Sequence, residues 1–276
     1  MIGVYDGEYC GSFQIETALR CMHLPYRVFS DEDIVKPGFA DKFSNLFFGA
    51  GHVSDSPTAL GGAAGRQRIR DLIAEGRDYI GVCAGAYLAL LPEPQGLALA
   101  QSNLDHPQAG NIFQGFLDVE WPGMSDAPFP SWFQNGPVFY RDADGTVARF
   151  SAVQDNAADG RSRESTFAAT DFAGRPAALQ SPFGEGRCVL VSPHLELGSL
   201  GIPGFNSVTT AWMQRSCPDE YRAHPDRVPI GPSRRRFLED LEELGLADQV
   251  TQPQWSTLRK LLAAPLGNAD DERGGA

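Results

Sequence analysis

The apolar positions of this chain come in short runs that alternate with stretches at helical spacing. Ile2–Tyr5 is a short apolar run closed by Asp6-Gly7-Glu8, which reads as a strand entering a loop. Across residues 12–24, Phe13, Ile15, Leu19 and Met22 fall on or near one helical face. Tyr26–Phe29 reads as a second strand, and Leu46-Phe47-Phe48, closed by Gly49-Ala50-Gly51, as a third. Residues 65–75 carry Ile69, Leu72 and Ile73 as an amphipathic helix that stops at Gly76. Residues 79–82 form the next strand, Cys83 follows, and residues 84–91 read as a helix ended by Pro92. Strands alternating with helices predict a parallel sheet covered on both faces. Such sheets bind ligands beyond the carboxyl ends of their strands. Asp6-Gly7-Glu8, Gly49-Ala50-Gly51 and Cys83 all fall at that edge, so their loops are expected to converge.

The second half carries different signals. Residues 115–120 and 138–140 look like strands, and Asp144-Gly145 between Tyr140 and residues 147–150 signals a hairpin. Residues 177–180 and 187–191 read as two strands around Phe183-Gly184-Glu185-Gly186, another hairpin. Beyond Pro193 the chain turns helical. Phe237, Leu238, Leu241 and Leu244 share a face in residues 233–244, and Trp255, Leu258, Leu261 and Leu262 form a second amphipathic helix. The run Arg234-Arg235-Arg236 is expected at a solvated helix start. The Asp/Gly-rich residues 267–276 are expected to be disordered.

Length and charge narrow the function classes. A chain of 276 residues can bury a core large enough to fold without disulfides or metal. No apolar run approaches the ~18 residues of a membrane span, and the first residues read as a strand rather than a secretory signal. A net charge of −12 disfavours nucleic acid and anionic membranes as partners. The five cysteines, Cys10, Cys21, Cys83, Cys188 and Cys217, are scattered and include no C-x-x-C pair. That usage fits a cytoplasmic chain and supports neither a disulfide framework nor a zinc site. No metal or cofactor is expected, and the partner is expected to be a small-molecule substrate.

The strongest local chemistry lies in Tyr79-Ile80-Gly81-Val82-Cys83-Ala84-Gly85-Ala86-Tyr87. A thiol flanked by small residues, where a buried strand turns sharply into a helix, has the form of a nucleophile elbow. It would stand next to the positive end of the helix, where a thiolate is favoured. The amide of Ala84 and one from the Gly49-Ala50-Gly51 loop would stabilise an oxyanion. The best base is His194, which follows the apolar residues 187–191; Glu196, two residues on, faces the same way in an extended segment and can orient the imidazole. Glu8 sits at the correct sheet edge to tune the thiol, although a plain loop acid is the simpler reading, and His52 follows the glycine loop.

Gly-Val-Cys-Ala-Gly-Ala-Tyr at 81–87 and Pro-His-Leu-Glu at 193–196 resemble the class I glutamine amidotransferase superfamily with its Cys-His-Glu triad. Within it, the chain is most similar to the family named after the N-terminal domain of biotin–protein ligase. That family has a Cys-Ala-Gly elbow, an Asn-Gly segment in mid-chain, and a Gly-x-Gly hairpin before a His-x-Glu. Here Asn135-Gly136, Gly184-Glu185-Gly186 and His194-Leu195-Glu196 occur in that order. The resemblance covers about residues 1–215. It implies a flavodoxin-like three-layer α/β sandwich with a mostly parallel sheet; the helical extension over 216–266 and the tail over 267–276 lie outside it and are read from the residue pattern alone. It also implies that Cys83, His194 and Glu196 act on a small amide-type substrate, with Tyr87, Asn135 and Gly136 beside them. Tyr87 occupies the position where glutamine-using members commonly place Gln, which weakens glutamine as the substrate, and Phe48-Gly49-Ala50 replaces an expected Pro-Gly-Gly. Two rival functions stay open: a glutaminase subunit passing ammonia to a separate synthetase, and a binding or redox-sensing protein that uses the elbow cysteine without turnover. Association into a homo-oligomer stays open too.

Overall fold

The computed structural model describes residues 1–51, 56–101, 104–105, 112–151, 166–225, 227–246 and 252–263. In chain order these form β1 (Ile2–Tyr5), α1 (Phe13–Cys21), β2 (Tyr26–Phe29), α2 (Asp31–Ile34), β3 (Asn45–Phe48), α3 (Gly62–Ala74), β4 (Asp78–Val82) and α4 (Ala84–Leu90). There follow β5 (Gln114–Glu120), β6 (Phe129–Gln134), β7 (Thr146–Phe150), β8 (Pro176–Phe183) and β9 (Gly186–Val191). The helices α5 (Gly201–Ser216), α6 (Pro218–Ala223), α7 (Gly231–Glu239) and α8 (Pro253–Ala263) complete the chain.

Among the described residues the strands form a single sheet in the order β2-β1-β3-β4-β9-β8-β7-β5-β6. The pairs β2/β1, β1/β3, β3/β4 and β4/β9 are parallel, and the four pairs from β9 out to β6 are antiparallel. Only β8 and β5 therefore run against the common direction, and the sheet is mostly parallel, as expected. Strands buried on both faces need apolar residues at successive positions, and the pattern is direct in β9. Cys188 and Leu190 face one core, with Ile69 and Leu72 of α3 and Leu88 of α4, while Val189 and Val191 face the other, with Leu19 of α1 and Trp212 of α5. Layers of helix, sheet and helix result. The second core also takes in Phe237 of α7 and Trp255, Leu258 and Leu261 of α8, so the helices after residue 215 bury against the same sheet.

Three local expectations differ from the structure. Residues 138–140 form no strand: Phe139 makes an isolated bridge with Leu104, Ser192 donates to the Pro137 carbonyl at 2.6 Å, and Arg175 donates to that of Phe139 at 3.3 Å. Side chains, together with the Asp105 amide that donates to the Val138 carbonyl at 2.8 Å, satisfy this backbone in place of a ladder. The turn at Asp144-Gly145 accordingly joins no hairpin; β7 pairs instead with β5 and β8. Third, Arg234 does not lie on a solvated face. It crosses from α7 to Asp6 at 3.0 Å, also bonds Ser12 and Glu16, and covers the Phe13 ring. The expected strand at 115–120 is present as β5, and its unforeseen partner β6 contains Pro130. Proline lacks a ladder donor and is tolerated at a sheet edge, which is where β6 runs. The tail over 267–276 and His52 lie outside the described residues.

Candidate active site

Cys83 joins the end of β4 to the start of α4 with φ +52° and ψ −106°. A left-handed, non-glycine residue of this kind costs roughly 1–3 kcal/mol and persists only where its surroundings fix it. Here they do. The Cys83 amide donates to the Val191 carbonyl of β9 at 3.0 Å, and its own carbonyl accepts from the amides of Ala86 and Tyr87. The amide of Gly85 donates to Gly49, and Tyr79 donates its hydroxyl to the Gly85 carbonyl at 2.6 Å. The two small neighbours are sterically required. A Cβ on Gly81 would lie 2.5 Å from the Gly85 oxygen, and one on Gly85 would lie 2.2 Å from the Phe48 oxygen.

The expected loops converge at this elbow. Gly49 meets Gly85, Ala50 accepts from the Gly11 amide, and Gly51 bridges Cys10, so the segment 49–51 is held between the elbow and the loop after β1. Within the first turn of α4, the amides of Gly85, Ala86 and Tyr87 are all engaged; that of Ala84 has no acceptor among the described residues. Glu8 is exposed and accepts from the Thr58 hydroxyl at 3.3 Å, and nothing among the described contacts joins it to Cys83.

His194 arrives from the neighbouring strand. Its amide donates to the Trp132 carbonyl of β6 at 2.7 Å, and its Nδ1 lies 2.7 Å from Glu196 Oε1. Both side chains are buried. Burial is the largest influence on the imidazole and lowers its pKa. Glu196 and then Cys83 oppose it and prevail, raising the pKa from 6.5 to about 10. The thiol is thus near enough to act on the ring, although Nε2 makes no aligned hydrogen bond in this conformation. The thiol instead lies 3.5 Å from the Gln134 carbonyl. Hydrogen bonds between a nucleophile and its base are commonly unaligned until substrate is present.

Tyr87 and the Asn-Gly segment close the other side. Tyr87 donates its hydroxyl to the Gly136 carbonyl at 3.1 Å, and burial, helped by Cys83, keeps the phenol protonated far into the alkaline range. Asn135 is left-handed at φ +53°, and its side-chain oxygen accepts from the Ile112 amide at 2.9 Å. Gly136 passes so close to Ser192 that a Cβ would lie 2.3 Å from that carbonyl. Sequence reasoning missed Gln134 and Trp132, which act through backbone carbonyls, and Trp255, whose indole donates to the Glu196 carbonyl at 3.1 Å. Backbone carbonyls leave no mark on residue type, but the position of Trp132 to Gln134 immediately before Asn135-Gly136 was a usable signal. Burial raises the pKa of Cys21 and Cys188 to about 12, that of Cys10 well above its usual value, and that of Cys217 as well.

Among the described residues no cluster of His, Cys, Asp and Glu could hold a metal, and no helix is long and apolar enough to cross a membrane. Two surface cavities, of about 730 Å³ beside Arg20, Tyr26 and Glu239 and about 560 Å³ beside Gln101 and Gln180, are lined by neither Cys83 nor His194.

No family model and no curated protein matches the chain. Several solved structures show a distant likeness. A protein from Thermoplasma acidophilum that is named for a component of GMP synthase is 12% identical over 71% of this chain and 85% of its own, with a TM-score of 0.43. A glutamine amidotransferase from Methylobacillus flagellatus is 14% identical over 95% and 94%, with a TM-score of 0.44. A β-galactosidase from Bacillus circulans sp. alkalophilus is 13% identical over 71% of this chain but 29% of its own, with a TM-score of 0.40. Likeness this distant carries no functional argument, which rests on the geometry of the site.

Proposed function

We propose that this chain is a cysteine-dependent hydrolase or amidotransferase-like enzyme of the glutamine amidotransferase type, acting on a small amide. The observation that carries the reading is the buried His194–Glu196 pair at 2.7 Å, set beside a cysteine in a strained strand-to-helix turn. In this reading the thiol proton of Cys83 has already passed to His194 Nε2, as the raised pKa of the imidazole implies, and the Sγ thiolate attacks the amide carbon. The imidazolium returns that proton to the leaving nitrogen, which departs as ammonia or an amine. His194 then takes a proton from water, and the resulting hydroxide frees the acyl group from sulfur. Glu196 holds the imidazole and offsets its charge. The Ala84 amide and one from the 49–51 loop receive the oxyanion. Asn135 and Gly136 shape the wall opposite the elbow, and the similarity to the biotin–protein ligase N-terminal domain family belongs to this same proposal.

Tyr87 bears on the substrate. Its single hydroxyl proton is committed to Gly136, which leaves the phenol an acceptor only, whereas a side-chain amide can both donate and accept toward a glutamine ligand. The protein alone should therefore release little ammonia from glutamine. The experiment measures ammonia from glutamine and from a panel of small amides for wild type and Tyr87→Gln, with Cys83→Ala as the blank. Cys83-dependent turnover of a small amide supports the proposal. Robust wild-type glutaminase activity restores the subunit that feeds a separate synthetase. A second reading, a redox-sensing or binding protein, draws support from the thiol facing Gln134 rather than Nε2. No turnover on any amide, together with ready oxidation of Cys83 to a stable sulfinate, would establish it instead.

A further inference from the structure

The acid of the triad has an unusual support. The Glu196 carboxylate is fully buried, its Oε1 meets His194, and its Oε2 has no hydrogen-bond partner among the described residues. Side-chain contacts therefore fix the carboxylate on one side only. What fixes its other side is the backbone of the short turn Leu195–Leu197, and helix α8 grips that turn. Trp255, 2% exposed, donates its indole N–H to the Glu196 carbonyl at 3.1 Å. Gln252, just before the helix, accepts from the Ser199 amide at 2.8 Å. Gln254 donates to the Pro130 carbonyl at 2.6 Å, tying the helix to β6, the strand whose Trp132 carbonyl holds the His194 amide. The turn ends at Gly198 with φ +58°, where a Cβ would sit 3.0 Å from Gln252 Oε1 and 3.3 Å from the indole nitrogen. This glycine permits the close approach.

We infer that Trp255 is a positioning residue for Glu196, so that α8 is part of the active-site machinery rather than an appended layer. The inference rests on the triad reading and adds to it. Misplacing an acid that holds a catalytic base lowers reactivity even when the fold survives. The charged groups that act on the imidazole are Glu196 and Cys83, so loosening Glu196 weakens the imidazolium and, with it, proton transfer from the thiol.

The test follows the rate of Cys83 carbamidomethylation by iodoacetamide from pH 5 to 10, mapped by mass spectrometry. Trp255→Phe keeps an aromatic ring and removes the donor. It should lower the rate at pH 7 by about three- to tenfold, the effect of one buried hydrogen bond, and move the pH curve to higher pH. Leu258→Ala, which trims the same helix and leaves the hydrogen bonds of Trp255 and Gln252 to the turn in place, should lower thermal stability and leave the curve in place. Loss of stability in Trp255→Phe with an unshifted curve would overturn the inference. If that variant fails to fold, Gln252→Ala, which frees the Ser199 amide, is read in the same way. Curves for His194→Gln and Glu196→Gln identical to wild type would instead bring down the triad reading and this inference with it.

Discussion

Replacing Glu196 by glutamine should remove a pH dependence of folding stability that the buried His194–Glu196 pair builds into the protein. Burial alone would keep the imidazole of His194 neutral; Glu196, with Cys83, reverses that and raises its pKa from 6.5 to about 10. A base with a raised folded-state pKa stabilises the protein fully below pH 6.5. That contribution falls as the pH rises, at about 1.4 kcal/mol per pH unit, and is gone above pH 10. Over the whole interval it amounts to roughly 3–5 kcal/mol. Glutamine keeps the shape of the side chain and removes the charge, so burial prevails and the imidazole is neutral in the folded variant. Urea unfolding followed by tryptophan fluorescence at pH 6.5, 7.5, 8.5 and 9.5 measures the effect. The difference between wild type and Glu196→Gln cancels the titrating groups that do not act on the imidazole. That difference should be largest at pH 6.5 and shrink steadily toward pH 9.5. A difference that is constant with pH would refute the argument, because His194 would then not be held charged by Glu196.

Other substitutions test the scaffold around the site. Gly85→Ala places a methyl group 2.2 Å from the Phe48 carbonyl and should cost about 1–3 kcal/mol, read by urea unfolding, while also slowing Cys83 alkylation as the elbow shifts. Arg234→Met leaves Asp6 and the largely buried Glu16 without their cation and should destabilise by roughly 1–3 kcal/mol; a loss under about 0.5 kcal/mol would return Arg234 to a solvated helix start. Ending the chain after Arg222 uncovers the sheet face buried by Phe237, Leu241, Trp255 and Leu258, and the product should aggregate on sedimentation; a soluble, equally stable product would show that α7 and α8 pack on nothing important.

The parallel half of the sheet was legible because its strands are short apolar runs closed by an abrupt change of residue type, an acidic turn in Tyr5-Asp6-Gly7 and glycine in Phe47-Phe48-Gly49. Glycines that no Cβ could replace, Gly81 and Gly85, marked the elbow directly. His194 and Glu196 were legible because both lie just beyond an apolar strand, two residues apart. The antiparallel wing was harder. Val138 and Phe139 are apolar because they fill the core, not because they pair, and strand propensity cannot separate those causes. In β6 the proline at position 130 concealed an edge strand. Arg234 looked solvated because its partners, Asp6, Ser12 and Glu16, lie more than two hundred residues away in sequence. The support of Glu196 by Trp255 was hidden for the same reason.

In the proposed function Cys83 is the reactive thiol and His194 makes it so. Limiting iodoacetamide at pH 7, followed by mass-spectrometric mapping of all five cysteines, tests it in one experiment. Exposure favours Cys217, since Cys83 is only 8% exposed, whereas the chemistry of the site favours Cys83. Cys83 should be modified first, and His194→Gln should abolish its lead. Preferential labelling of Cys217 in the folded wild type, or an undiminished lead for Cys83 in His194→Gln, would contradict it.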